Sequence, residues 1–375
     1  MYFHIILTER CNSQCRYCYG KSMQEFDNSL ENKFEFDFSA PCDSEINIGK
    51  LKEFLEKDPE PKLIFYGGEP LVQQEKIIQI INVLENSQVE FFMQTNGKLL
   101  DKFPKEHMNK FKRILVSCDG DKERTDFNRG EGTYEKVIQN LKLIRENGYK
   151  NEIVARMTIS ASDGFTDLTK QIKHLFSLDL FDSVHWQLDM GFYKFDFNKT
   201  KIEKFVQEYN KEISKLLNYW LQEMKKGIVL KIYPFLGIFD SVYNNKKTKL
   251  RCGSGYANYT ITTNGQITCC PIMNSIKNFY VGDIETSNPK NLKEIYVSDP
   301  CGQCEYLDLC GGRCLYSNYA KLWPKEGEEL ICKTIKHLID EIKRIAPEIK
   351  ELSNKNIISE QQFEYEKYFG PEIIP

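Results

Sequence analysis

The chain has 375 residues and a mass of 44.0 kDa, 41% apolar and 13% aromatic, enough to build one large domain or a large and a small one. With 51 basic and 54 acidic residues the net charge is −3, which excludes the bulk attraction to nucleic acid that a strongly basic chain would have. No run of roughly 18 apolar residues offers a membrane span, and the opening MYFHIILTERC reads as a first strand rather than a signal peptide, so a cytoplasmic protein with reduced thiols is expected.

In chain order, residues 2–7 (YFHIIL) predict a strand, followed by a cysteine-bearing loop over 8–20. Helical spacing marks 48–57, and KLIFY at 62–66 is a short apolar strand running into Gly67-Gly68. A helix at 76–86 leads to a strand at 89–94 that ends at Thr95-Asn96-Gly97. RILVS at 113–117 is a strand ending near Asp119-Gly120, then a helix at 133–147 and a strand at 152–159. The segment 167–178 is helical, 183–189 is a sixth strand, and a long helix fills roughly 200–226. Strands alternating with helices imply a parallel α/β sheet, here a partial (β/α)6 TIM-like barrel. In such barrels chemistry sits at the carboxyl ends of the strands, where Cys11, Gly67, Asn96 and Ser117 fall.

After about residue 230 the texture changes: 252–332 is rich in Cys, Gly and Asn, and Asn264-Gly265 between YTITT and QITCC signals a hairpin. A closing helix over 332–351, interrupted near Pro347, and a patternless final 24 residues complete the chain. The expected organisation is a barrel over 1–230, a small Cys-rich metal-organised domain over 231–352 and a tail over 353–375.

Thirteen cysteines, an odd number clustered toward two parts of the chain, point to metal rather than disulfides in a reducing compartment. Cys11, Cys15 and Cys18 lie within eight residues, a grip suited to three irons of a cubane cluster, with zinc as the alternative.

This C-x3-C-x2-C loop after the first strand, with Tyr17 before the third cysteine, resembles the signature of the radical S-adenosylmethionine superfamily. Gly67-Gly68-Glu69-Pro70 after the second strand resembles that family's GGEP motif. The resemblance implies a 4Fe–4S cluster on Cys11, Cys15 and Cys18 that chelates S-adenosylmethionine. It implies that backbone groups of Gly67 and Gly68, with Glu69, hold the methionine ammonium and that Tyr17 borders the adenine. Asn96, Ser117 and Arg156 are then expected at the ribose or carboxylate, with turn-forming and structural roles as the alternative.

The later cysteines are Cys252, Cys270, Cys301-x2-Cys304-x5-Cys310-x3-Cys314 and Cys332. Their layout resembles the SPASM domain, which carries up to two auxiliary 4Fe–4S clusters, giving three clusters in all; a zinc ribbon is the alternative. The family pattern assigns Cys252, Cys270 and Cys314 to the nearer cluster and Cys301, Cys304, Cys310 and Cys332 to the distal one. Family members with a fully ligated nearer cluster have an extra cysteine just before the one matching Cys252, and SVYNNKKTKLR has none. The nearest spare thiol, Cys269, is adjacent to Cys270 in a predicted strand and should point the other way. An open iron able to meet a peptide thiolate is the expectation. Cys42 and Cys118 belong to no motif, and Cys118 reads as a buried thiol.

The resemblance implies radical cleavage of S-adenosylmethionine and hydrogen abstraction from a peptide or protein, giving a crosslink, thioether or oxidation. A ferredoxin or flavodoxin would supply electrons. The chain is also similar to archaeal peptide-modifying proteins of this superfamily. Sulfatase maturation is disfavoured, because that family's catalytic aspartate follows the cysteine matching Cys270 and Pro271 stands there. With the first motif at residue 11, no peptide-recognition domain is expected ahead of the barrel. A small-metabolite substrate is the second reading and an iron–sulfur electron carrier the third. Gly67–Glu69 argues against the carrier, which needs no nucleoside pocket.

Overall fold

The computed structural model describes residues 1–18, 28–161, 164, 167–191, 194 and 196–369. Its strands are β1 (Tyr2–Ile6), β2 (Lys62–Tyr66), β3 (Glu90–Thr95), β4 (Phe111–Ser117), β5 (Glu152–Ser160), β6 (Ser183–Asp189), β7 (Lys231–Ile232), β8 (Asn258–Ile261), β9 (Gln266–Thr268) and β10 (Tyr280–Asp283). The principal helices are α1 (Ile48–Leu55), α2 (Gln74–Leu84), α3 (Lys122–Arg129), α4 (Thr133–Glu146), α5 (Leu168–Ser177), α6 (Lys199–Lys225), α7 (Tyr233–Tyr243), α8 (Leu307–Cys310), α9 (Leu315–Ala320) and α10 (Lys325–Asn354). All six expected strands are present, and the mixed α/β fold with a parallel sheet follows. Among the described residues no helix is long and apolar enough to cross a membrane.

The chain forms two compact units, the first comprising 1–118, 125–154 and 253–296. In it β1 pairs in parallel with β2, β2 with β3 and β3 with β4. On its other side β1 pairs in parallel with β8, with Phe3 opposite Tyr259, and β8 turns back through β9. The Asn264-Gly265 hairpin forms as expected: Gly265 is left-handed, and the Thr262 hydroxyl donates to Asn264 at 2.6 Å. Strands buried on both faces need apolar side chains throughout, and Phe3, Ile5, Leu63, Ile64, Phe65, Phe92 and Met93 are fully buried. Asn47 caps α1 by accepting from the Lys50 amide at 3.1 Å, which starts the helix where the apolar spacing begins.

The second unit comprises 119–124, 155–252 and 297–369 of the described chain. Here β6 and β7 pair in parallel. Helix α6 buries a stripe from Ile202 to Met224 and runs parallel to α10. The pairs Lys199–Glu326, Ser214–His337 and Lys225–Glu348 step forward together along both helices. One reading from the sequence is corrected here. Helix α10 passes unbroken through Pro347, because Ile345, Ile349 and Leu352 keep its buried face docked across the missing hydrogen bond. In the tail, where the sequence shows no pattern, Phe363 packs on Trp220 and Phe239, Tyr365 on Tyr233, and Phe369 is buried. Isolated aromatics on irregular backbone carry no periodicity, so the sequence pattern was silent there.

Candidate active site and metal centres

The first cysteine loop leaves β1 at Leu7, whose amide donates to the Tyr66 carbonyl at 3.0 Å. Residues 8–10 then lie against the turn after β2: the Gly68 amide donates to Thr8 at 2.8 Å and the Glu69 amide to Arg10 at 2.9 Å. A Cβ on Gly67 would overlap the Thr8 carbonyl oxygen, and one on Gly68 the carbonyl oxygens of Glu9 and Arg10. The double glycine is therefore the condition for the two loops to touch. Thr8 and Arg10 are in turn tied to Asp43, at 2.7 and 2.8 Å.

Glu69 is 1% exposed and receives three donors. Leu71 N–H and the Thr95 hydroxyl meet Oε1 at 3.1 and 2.7 Å, and Asn96 N–H meets Oε2 at 2.7 Å. Burial pushes this carboxyl up to about 7 against the pull of those donors. Glu69 thus laces the ends of β2 and β3 together. Asn96 completes the bridge, its Nδ2 lying 2.6 Å from Asn12 Oδ1, 3.3 Å from Ser13 Oγ and 3.8 Å from Cys11 Sγ. Cys11 is exposed as a residue, but partial cover of its thiol raises it, as do neighbouring Glu69 and Cys15, while Ser13 N–H and Asn96 oppose this.

Cys15 and Cys18 are half-buried on one turn, Cys18 N–H donating to the Cys15 carbonyl at 3.2 Å. The loop leans on α3: Arg16 N–H donates to the Asn128 carbonyl at 2.9 Å, Arg16 covers Phe127, and the Arg129 guanidinium lies 5.3 Å from the Tyr17 ring centre. Ser117 is buried at the end of β4. In the second unit Arg156 is half-buried on β5, with Nη2 2.7 Å from Gln187 Oε1. Sequence reasoning missed Thr95, Asn128 and Arg129, which act through contacts that no local motif announces.

Cys301, Cys304, Cys310 and Cys332 belong to the second unit, on the 301–304 turn, α8 and α10. Burial pushes Cys301 up to about 11, and neighbouring Cys310, Cys332 and Cys304 act in the same direction. Asn318 Nδ2 lies 3.5 Å from Cys301 Sγ. Cys252 and Cys314 in this unit, and Cys270 in the first, are half-buried. Cys269 is buried with its thiol 3.6 Å from the Phe279 carbonyl oxygen, and burial pushes it up to about 12. Cys118 is buried beside the Thr125 hydroxyl at 3.7 Å, and Cys42 is exposed. Among the described residues no three His, Cys, Asp or Glu side chains close on the position of a single ion. Sets of three and four thiols with amide donors around them suit the larger, charged cubane.

Residues 5–169 match the Radical SAM superfamily model. Over 81% of this chain and 85% of its relative, it is 22% identical to a cysteine-type anaerobic sulfatase-maturating enzyme of Clostridium perfringens. Among solved structures, anSMEcpe with bound AdoMet and Cp18Cys peptide superposes with a TM-score of 0.68 at 17% identity, covering 93% of this chain and 99% of that one. Streptococcus suis SuiB bound to precursor peptide SuiA gives 0.55 at 14% identity, covering 84% and 72%. The fold is that of the radical S-adenosylmethionine partial barrel.

Proposed function

We propose that this chain is a radical S-adenosylmethionine enzyme that abstracts hydrogen from a peptide or protein and so modifies it. The observation that carries the reading is the clamp between the Cys11 loop and Gly67-Gly68-Glu69, which sets three thiols beside a turn with its own polar groups. When bound, a reduced 4Fe–4S cluster supplies the electron that cleaves S-adenosylmethionine to methionine and a 5′-deoxyadenosyl radical. Cys11, Cys15 and Cys18 would hold that cluster. Gly67, Gly68 and Glu69 would hold the methionine ammonium, since a cation leaving water needs acceptors. The Tyr17 ring would border the adenine, with Asn96, Ser117 and Arg156 at ribose or carboxylate.

In the same reading two auxiliary clusters occupy Cys252, Cys270 and Cys314, and Cys301, Cys304, Cys310 and Cys332. The inward thiol of Cys269 supports three cysteines at the nearer one, leaving a position where a substrate group could bind. The barrel would span 1–230, the auxiliary domain 231–352 and the tail 353–375. A ferredoxin or flavodoxin would reduce the protein in the cytoplasm. A peptide substrate is favoured because two similar structures have peptides bound. The aspartate of sulfatase maturation has no counterpart, since Pro271 opens a short 3-10 turn after Cys270. A small-molecule substrate is the second reading: a GTP 3′,8-cyclase of Clostridium perfringens is 31% identical, though over 40% of this chain.

The test is anaerobic incubation of reconstituted enzyme with S-adenosylmethionine and candidate peptides, read by mass spectrometry. The expected products are 5′-deoxyadenosine and a peptide changed in mass, and Cys15→Ala should yield neither. Deoxyadenosine formed by that variant at the wild-type rate would overturn the reading.

A further inference from the structure

Beside the turn that carries Cys301, the side-chain amide of Asn318 uses every hydrogen-bonding position it has. Asn318 lies on α9 and is 8% exposed. Its Oδ1 accepts from the Ser298 backbone N–H at 2.8 Å and from the Ser298 hydroxyl at 3.1 Å. Its Nδ2 donates to the Ser298 carbonyl at 3.0 Å and to Cys301 Sγ at 3.5 Å. These four contacts fix which end of the amide is which. A backbone N–H only donates and a carbonyl oxygen only accepts, so the two backbone groups of Ser298 set Oδ1 and Nδ2 in their places. Turning the amide over would set a donor against the Ser298 N–H and an oxygen against both the Ser298 carbonyl and the sulfur. The remaining N–H of Nδ2 is thereby committed to Cys301.

This donor is held on both sides, all within the second unit. Cys301 N–H donates to the same Ser298 carbonyl at 3.1 Å and closes the turn, and Cys304 N–H donates to the Cys301 carbonyl at 3.0 Å. On the helix side, Asn318 N–H donates to the carbonyl of Cys314, one turn earlier, at 3.1 Å, and Leu315, Tyr316 and Ala320 of the same helix are buried. A neutral thiol is a weak acceptor, whereas a charged acceptor makes a shorter and stronger bond. A buried N–H locked onto Cys301 therefore suits a sulfur that carries charge, as a cluster ligand does.

We infer that Asn318 is the positioning residue for Cys301: its N–H orients the thiolate and raises the reduction potential of a cluster held by Cys301, Cys304, Cys310 and Cys332. Reduction adds a negative charge, so an N–H donor at a ligand sulfur stabilises the reduced state more than the oxidised one. The inference rests on the proposed cluster assignment. It makes α9 the link between the two ligand sets. The helix is entered at Cys314, assigned to the nearer cluster, and it reaches Cys301 of the distal one through the residue four positions on.

The experiment is a redox titration of the reconstituted full-length protein followed by electron paramagnetic resonance, with iron content and thermal unfolding measured on every variant. The signal that Cys304→Ala removes belongs to this site. Asn318→Leu is neutral, close in shape and without a donor. It should cut the reduced-to-oxidised ratio of that signal at least threefold at a fixed potential, a downward shift of about 28 mV at about 59 mV per tenfold for a one-electron couple. A role confined to holding the fold would lower the melting temperature and leave the potential where it was. A Leu variant with full iron content and an unshifted potential therefore overturns the inference, as does a shift shared by every signal. If that variant does not fold or hold iron, the wild-type protein decides. Labelled with heavy nitrogen in its asparagine side chains, it should show nitrogen coupling to the reduced cluster in spin-echo spectra, and the absence of that coupling overturns the inference. A protein in which Cys304→Ala removes neither iron nor signal overturns the cluster assignment itself, and the inference with it.

Discussion

Glu69 shows how a four-letter motif acquires physical content. Its carboxyl is raised to about 7 by burial, against an ordinary value near 4.5. An acid whose folded-state value lies above its unfolded one loses stability as pH rises between the two, because the folded state holds its proton longer. Glu69→Gln should therefore remove a slope of up to about 1.4 kcal/mol per pH unit between roughly pH 4.5 and 7. The wild-type advantage in melting temperature should be larger at pH 5 than at pH 7. An equal advantage at both would count against the burial argument. Gly68→Ala is a second test at this scale. Its methyl group meets backbone oxygens of Glu9 and Arg10 rather than flexible side chains. Overpacking against a fixed backbone costs about 1–3 kcal/mol. Lower thermal stability and lost iron are expected, the latter because the Cys11 loop is displaced. Cys11 was legible from cysteine spacing, and Gly67, Gly68 and Glu69 from the resemblance to a family motif. Thr95 and Arg129 were not, since their partners are 26 and 112 positions away in sequence.

Among elements, α10 departs most from its sequence pattern. Pro347 is exposed and stands within a continuous helix. Proline in a helix interior costs up to about 3 kcal/mol relative to alanine. Pro347→Ala should raise the melting temperature while leaving deoxyadenosine formation unchanged; a fall in melting temperature would show that the proline is needed for the docking. The opposite case is Trp220 on α6, fully buried against Phe235, Phe239 and Phe363, its indole N–H 2.8 Å from the Leu230 carbonyl oxygen. Trp220→Ala should cost about 3–5 kcal/mol in denaturant unfolding. The helical stripe predicted that Trp220 is buried, but only the fold revealed that the tail supplies one of its walls.

For the molecule as a whole, metal and folding should be linked. Cys301, Cys304 and Cys310 lie on short turns around α8, where little regular structure holds the backbone. Clusters bound there would act as cross-links, and their ligation energy would count toward folding. Stripping iron anaerobically with a chelator should lower the melting temperature, by roughly 5 °C or more, and reconstitution should restore it. An unchanged melting curve would mean that the cysteine-rich segments hold their shape through protein contacts alone.

The sequence by itself determined the six alternating strands, the loop turns at their ends and the cysteine sets. Strand periodicity, Gly-Gly punctuation and Cys spacing are local, and local chemistry survives in a linear string. Tertiary structure decided that β8, from the cysteine-rich segment, continues the sheet beside β1. It also decided that Glu69 faces inward to three donors, that the tail packs on α6 and α7, and that Arg251 donates to the Leu309 carbonyl. Each of these joins residues far apart in the chain, and their placement follows from the packing of whole elements.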